Sequence, residues 1–131
     1  MTGLDTNILV RYLAQDDAEQ TKKATRLIEA LTPMQPGYIP LLVVAETVWV
    51  LESCYDTGRD RIAQVVETLL SIDSLVVEQS DTAWRALRRC KREGGDFVDA
   101  LIASQAITSG CETVYTFDKS AAKRTGMTLL A

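Results

Sequence analysis

The chain of 131 residues contains no histidine. That absence excludes a Ser-His-Asp or Cys-His nucleophile system and every zinc site that uses imidazole. Cysteine is scarce. Cys54, Cys90 and Cys111 are odd in number, far apart and without a paired spacing, so they read as reduced thiols of a cytoplasmic protein. No apolar run is long enough to span a bilayer, and Arg11 interrupts the apolar N-terminal stretch, so no membrane association is expected. Nor is a cleavable leader expected. Neither G-x-x-x-x-G-K-S/T nor G-x-G-x-x-G occurs, which leaves nucleotide-motor and dinucleotide-cofactor readings without support. Repeats, low-complexity tracts and interdomain linkers are also missing, so a single domain over 1–131 is expected.

What remains is the profile of an ordinary globule, 47% hydrophobic and 24% charged. The net charge is −4 and the pI is about 4.8, which argues against a general nucleic-acid-binding surface. The balance is uneven, however. Without Asp5, Glu46, Asp96, Asp99 and Asp118 the net charge would move from −4 to +1. The acidity is concentrated in a few residues, and a bound cation would cancel part of it.

Hydrophobic spacing predicts alternating strands and helices. Strands are expected at Met1 to Leu4, Gly37 to Ile39, Leu75 to Val77, Thr113 to Thr116 and Thr128 to Leu130. Helices are expected over Asn7 to Leu13, Glu19 to Leu31, Pro40 to Cys54, Arg59 to Ser71, Ser80 to about Arg92, Phe97 to Ser109 and Lys119 to Arg124. Pro40 suits a first helical turn, Ser80 and Asp96 suit N-caps, and Gly94-Gly95 suits a helix end. Strands separated by helices imply an α/β fold with a mostly parallel sheet covered on both faces. The functional crevice of such a sheet lies beyond the carboxyl ends of its strands.

Asp5, Glu46, Asp99 and Asp118 all interrupt apolar sequence. Burying a carboxylate there is costly unless it is paired or bound to a cation. Each also has a plainer reading. Asp5 and Asp118 can cap the helices that follow them, and Asp96 can cap a helix that has Asp99 in its first turn. Glu46 has Leu42, Val43, Trp49 and Val50 at its helical neighbour offsets, so it is expected to face the core. Together the four acids suit a hard divalent ion such as Mg²⁺ or Mn²⁺. Such an ion activates water and offsets charge on a phosphate. Thr6, Asn7, Asp96 and Thr116 would line the site, with Arg11 contacting either a phosphate or a carboxylate. Arg85, Arg88, Arg89 and Arg92 form one helical stripe, which reads either as a solvated face or as a phosphate track that Lys119, Lys123 and Arg124 extend.

Four stretches resemble the PIN-domain ribonucleases, in particular the VapC-type toxins of toxin–antitoxin systems: Leu4–Leu13 with its Asp5-Thr6-Asn7, Val44-Ala45-Glu46, Asp96–Ala103, and Thr116-Phe117-Asp118-Lys119. The resemblance spans nearly the whole chain, in family order. It implies a three-layer α/β/α domain and a Mg²⁺- or Mn²⁺-dependent endoribonuclease, with Asp5, Glu46, Asp99 and Asp118 as catalytic, metal-binding acids. It also implies 5′-phosphate and 3′-hydroxyl products, a homodimer, and a small antitoxin that covers the groove. The apolar helices over Glu19–Leu31 and Pro40–Cys54 are candidate docking faces for it, although most of their apolar residues read as core.

Two other classes stand beside this reading. Asp5-x-Asn7 resembles part of a haloacid-dehalogenase-like phosphatase opening with Asp5 as nucleophile, but Asn7 replaces the usual second Asp. A non-catalytic RNA- or protein-binding module is the other, and the complete acidic set argues against it.

Overall fold

Gly37, Tyr38 and Ile39 form the middle strand of a parallel three-stranded sheet in a computed structural model that describes all residues, Met1–Ala131. This sheet belongs to the first of two compact units, Met1–Glu78; the second is Gln79–Ala131.

In the first unit β1 (Thr2–Gly3), β2 (Gly37–Ile39) and β3 (Leu75–Val77) lie in the order β1-β2-β3, with Gly37 opposite both Thr2 and Leu75. Parallel neighbours need long crossovers. Helices α1 (Thr6–Ala14) and α2 (Ala18–Glu29) fill the first crossover, and α3 (Leu41–Cys54) and α4 (Arg59–Ser71) fill the second. Glycine at 37 answers to packing. A Cβ there would stand 2.7 Å from Leu31 Cδ1, 3.0 Å from Leu4 Cδ1 and 3.1 Å from Leu75 Cδ2. Leu9, Ile28, Ile39, Val48 and Leu69 are among the buried apolar residues. Thr47 is buried with them, and its hydroxyl has no hydrogen-bond partner.

In the second unit α5 (Ser80–Glu93) packs on α6 (Phe97–Thr108). Their buried residues include Ala83, Ala86, Leu87, Ala100 and Ala103. Gly94, at φ 77°, ends α5 in the left-handed conformation that glycine adopts most readily. Beyond α6, β4 (Tyr115–Thr116) and β5 (Thr128–Leu129) pair in parallel around α7 (Lys119–Arg124).

All strand pairings are therefore parallel, as the alternation predicts. The differences lie at element ends. The expected strand Thr113–Thr116 shortens to its last two residues, and Thr128–Leu130 loses Leu130. Pro40 stands at the N-cap of α3 instead of inside its first turn. Ser80 is the first helical residue of α5, not its cap. The cap is Gln79 at φ 49°, whose side chain makes no capping bond. No helix is long and apolar enough to cross a membrane.

Candidate metal and nucleic-acid site

Asp5 follows buried Leu4 at the end of β1 and takes extended backbone angles, φ −88° and ψ 166°, as the N-cap of α1. The Thr6 backbone N–H donates to Asp5 Oδ1 at 2.7 Å. The Thr6 hydroxyl donates to Glu46 Oε1 at 3.0 Å. A single residue thus orients two carboxylates from distant parts of the sequence. The second oxygen of each, Asp5 Oδ2 and Glu46 Oε2, has no hydrogen-bond partner in the protein. Both acids line a pocket of about 410 Å³ with Thr6, Asn7, Arg11 and Tyr55. Capping and cation binding are compatible at Asp5, because the cap engages only one oxygen.

Glu46 does not face the core. It is exposed, as are two of the four apolar neighbours that suggested burial, Leu42 at 72% and Trp49 at 62%. Helix α3 is apolar nearly all round, so its sequence does not reveal which face is buried. Val43, Thr47, Val48 and Leu51 form the inner face, and Leu42, Glu46 and Trp49 follow one another along the outer one. Asp5 and Asp118 are exposed too, and Asp99 is half-buried. The cost of burying a charge therefore does not account for these acids.

Arg11 is held within its own unit. Its Nε donates to Gln20 Oε1 at 2.7 Å, and its Nη1 donates to Tyr55 Oη at 3.2 Å and pairs with Asp16 Oδ1 at 3.3 Å. Tyr55 Oη donates to Asp16 Oδ2 at 2.6 Å. That hydrogen bond is the main reason the Asp16 carboxyl titrates below its ordinary value of 3.8, and it raises the Tyr55 phenol above 10.0. The cluster ties the start of α2 to the end of α3 and supplies one wall of the pocket. Sequence reasoning missed Asp16, Gln20 and Tyr55, because polar residues near helix ends look solvated.

The second unit holds the other two acids. Asp96 Oδ1 accepts the Asp99 N–H at 2.9 Å as the N-cap of α6, which puts Asp99 in the first turn. Asp118 Oδ1 accepts the Ala121 N–H at 3.0 Å as the N-cap of α7. The Asp118 N–H donates to Thr116 Oγ1 at 3.0 Å, so Thr116 fixes the turn that presents Asp118. Arg85, Arg88, Arg89 and Arg92 line a single pocket in this unit, which Lys119 does not join. Arg124 does not line that pocket either; its Nη1 donates to the Glu93 carbonyl at 2.7 Å and closes the end of α5.

In neither unit do three or more Asp, Glu or Cys side chains gather into a metal-holding group. The first unit offers a pair. Two carboxylates fit Mg²⁺ or Mn²⁺, which prefer oxygen and keep several waters, and the pocket has no imidazole and no thiolate pair for a softer metal.

The comparisons with known proteins agree in extent. The PIN domain family model matches residues 4–126. A VapC ribonuclease of Aquifex aeolicus (strain VF5) is 30% identical over 122 residues, which is 91% of this chain and 88% of that protein.

Proposed function

The chain belongs to the PIN-domain family, with the three-layer α/β/α fold that goes with it, and from that membership we propose that it is a metal-dependent endoribonuclease, the toxin of a VapC-type toxin–antitoxin pair. The observation that carries the reading is the Asp5–Thr6–Glu46 arrangement, two carboxylates steered by one threonine with an oxygen of each left free. Divalent-metal dependence is general in the family. Its match takes in both units, which supports treating 1–131 as one nuclease domain.

In this reading Asp5, Glu46, Asp99 and Asp118 are the family's acidic positions, and Asp5 and Glu46, which share a pocket, would hold Mg²⁺ or Mn²⁺. Bound there, the ion supplies charge against the scissile phosphate and lowers the pKa of an attacking water. The chain's own residues do the positioning. Thr6 sets the rotamers of Asp5 and Glu46, Asn7 offers a neutral amide at the pocket rim, and Asp96 and Thr116 fix the backbone that carries Asp99 and Asp118. Single-stranded or loop RNA suits an open pocket, because its nucleotides can splay into it.

Partners follow from the same reading. A small antitoxin would cover the acidic pocket, and exposed Leu42 and Trp49 on the face of α3 that carries Glu46 suit an apolar segment of it. Homodimerisation and a cytoplasmic location complete the proposal. The purified protein, freed of antitoxin, should cut RNA with Mg²⁺ or Mn²⁺ and leave it intact in EDTA. Asp5→Asn and Asp99→Asn should abolish cutting. Full activity in EDTA would refute the reading. A phosphoaspartate trapped at Asp5 would favour a phosphatase, and RNA retention without turnover in either metal would favour a binding module.

A further inference from the structure

Helix α5 carries Arg85, Arg88, Arg89 and Arg92 at intervals of three and four, which places four guanidinium groups on one face. Like charges at such spacing weaken a helix, so the arrangement calls for compensation. The protein supplies little. Arg85 Nη1 donates to Thr108 Oγ1, Arg89 Nε to the Arg124 carbonyl and Arg92 Nε to Glu93 Oε1, each at 3.1 Å. Arg88 has no partner. Asp81, one turn ahead of Arg85, borders a neighbouring depression with Arg85 and Arg88 but pairs with neither. A guanidinium has five N–H donors, and most of these remain unused.

The four arginines converge on one pocket of about 370 Å³, and no carboxylate lines it. Ser104 of α6 forms part of its wall. That residue is only 8% exposed, and its hydroxyl makes no hydrogen bond within the protein. Gly126, at φ 87°, completes the wall. A Cβ there would stand 3.4 Å from Arg89 Cζ, so glycine lets the guanidinium lie against the backbone. Arg89 is anchored at its Nε. A preformed, acid-free pocket with forked donors and an unpaired hydroxyl in its wall has the chemistry of an oxyanion site.

We infer that this pocket binds backbone phosphates of single-stranded RNA and holds the substrate strand on the second unit. The source of the phosphate rests on the nuclease reading above. Four forks along one helix face match successive phosphates of a polyanion better than they match a single carboxylate. Arg88, with all its donors available, is the principal contact, and Ser104 adds a neutral hydrogen bond.

The test uses the full chain in EDTA with a short fluorescent single-stranded RNA, and affinity is measured across a salt series. Each phosphate contact contributes about 0.7 to the slope of log K against log salt. Arg88→Ala should flatten the slope by about 0.7, so a fourfold rise in salt should cost the variant about 2.6-fold less affinity than it costs the wild type. Arg88→Lys should keep the slope, because the charge remains, and lose affinity, because the fork does not. Arg88 is exposed, so matching thermal melts for all forms are expected. A binding curve and slope unchanged in Arg88→Ala, with RNA still cut in Mn²⁺, overturn the pocket and leave the nuclease intact. Arg88-dependent RNA binding without cleavage in either metal overturns the nuclease and leaves the pocket. Loss of polyglutamate binding with RNA binding preserved would transfer the pocket to an acidic peptide and overturn the inference.

Discussion

Thr6→Val isolates the contact that joins the two acids of the first unit. The substitution removes the hydroxyl that donates to Glu46 Oε1 at 3.0 Å and keeps the backbone N–H that donates to Asp5 Oδ1 at 2.7 Å. Valine is β-branched like threonine, so the start of α1 keeps its shape. Glu46 is exposed, and water replaces the lost donor, so the stability change should stay below about 1 kcal/mol. The effect on a bound cation should be larger. Groups that orient a metal ligand from behind are worth about 10–100-fold in metal affinity, or about 1.4–2.7 kcal/mol. The assay is RNA cleavage as a function of Mn²⁺ concentration, with calorimetric Mn²⁺ titration alongside. Half-saturation should rise about 10–100-fold, while the rate at saturating metal recovers towards wild type. Thr6→Ser should restore the wild-type curve. An unchanged half-saturation point in Thr6→Val, or a fall in saturated rate alone, would refute the assignment of Thr6 as the residue that positions Glu46 for metal.

Thr47→Val should stabilise the protein by about 1–2 kcal/mol, because the Thr47 hydroxyl is buried with no partner; a lowered melting temperature would show that the hydroxyl is satisfied after all. Tyr55→Phe removes the hydrogen bond that depresses Asp16. A depressed carboxyl contributes stability that is present above its ordinary pKa and lost as pH falls through the folded value. A raised phenol contributes stability that is present below its ordinary pKa and lost as pH rises through its folded value. The stability gap between wild type and Tyr55→Phe should therefore be flat at intermediate pH and shrink both below 3.8 and above 10.0. Chemical unfolding across pH checks this, and a gap that is constant across the range contradicts it.

The sequence by itself determined the order and kind of the elements. Short β-branched or glycine-bounded runs gave strands, periodic apolar residues gave helices, and Asp5, Asp96 and Asp118 announced three helix starts. These features are local, and local chemistry decides them. It also set out the arginine stripe, since helical spacing alone puts four side chains on one face. Tertiary structure decided the rest. The outer face of α3 was not legible, because a helix apolar all round does not say which side meets the core, and Glu46 proved exposed between Leu42 and Trp49. Residue types along the chain likewise do not show that Thr6 reaches Glu46, that Tyr55 and Asp16 clasp Arg11, or that Ser104 and Gly126 close the arginine pocket. Apart from the Arg11–Asp16 contact, those pairings cross long stretches of sequence. They depend on how packed helices bring side chains within about 3 Å of one another, the reach of a hydrogen bond.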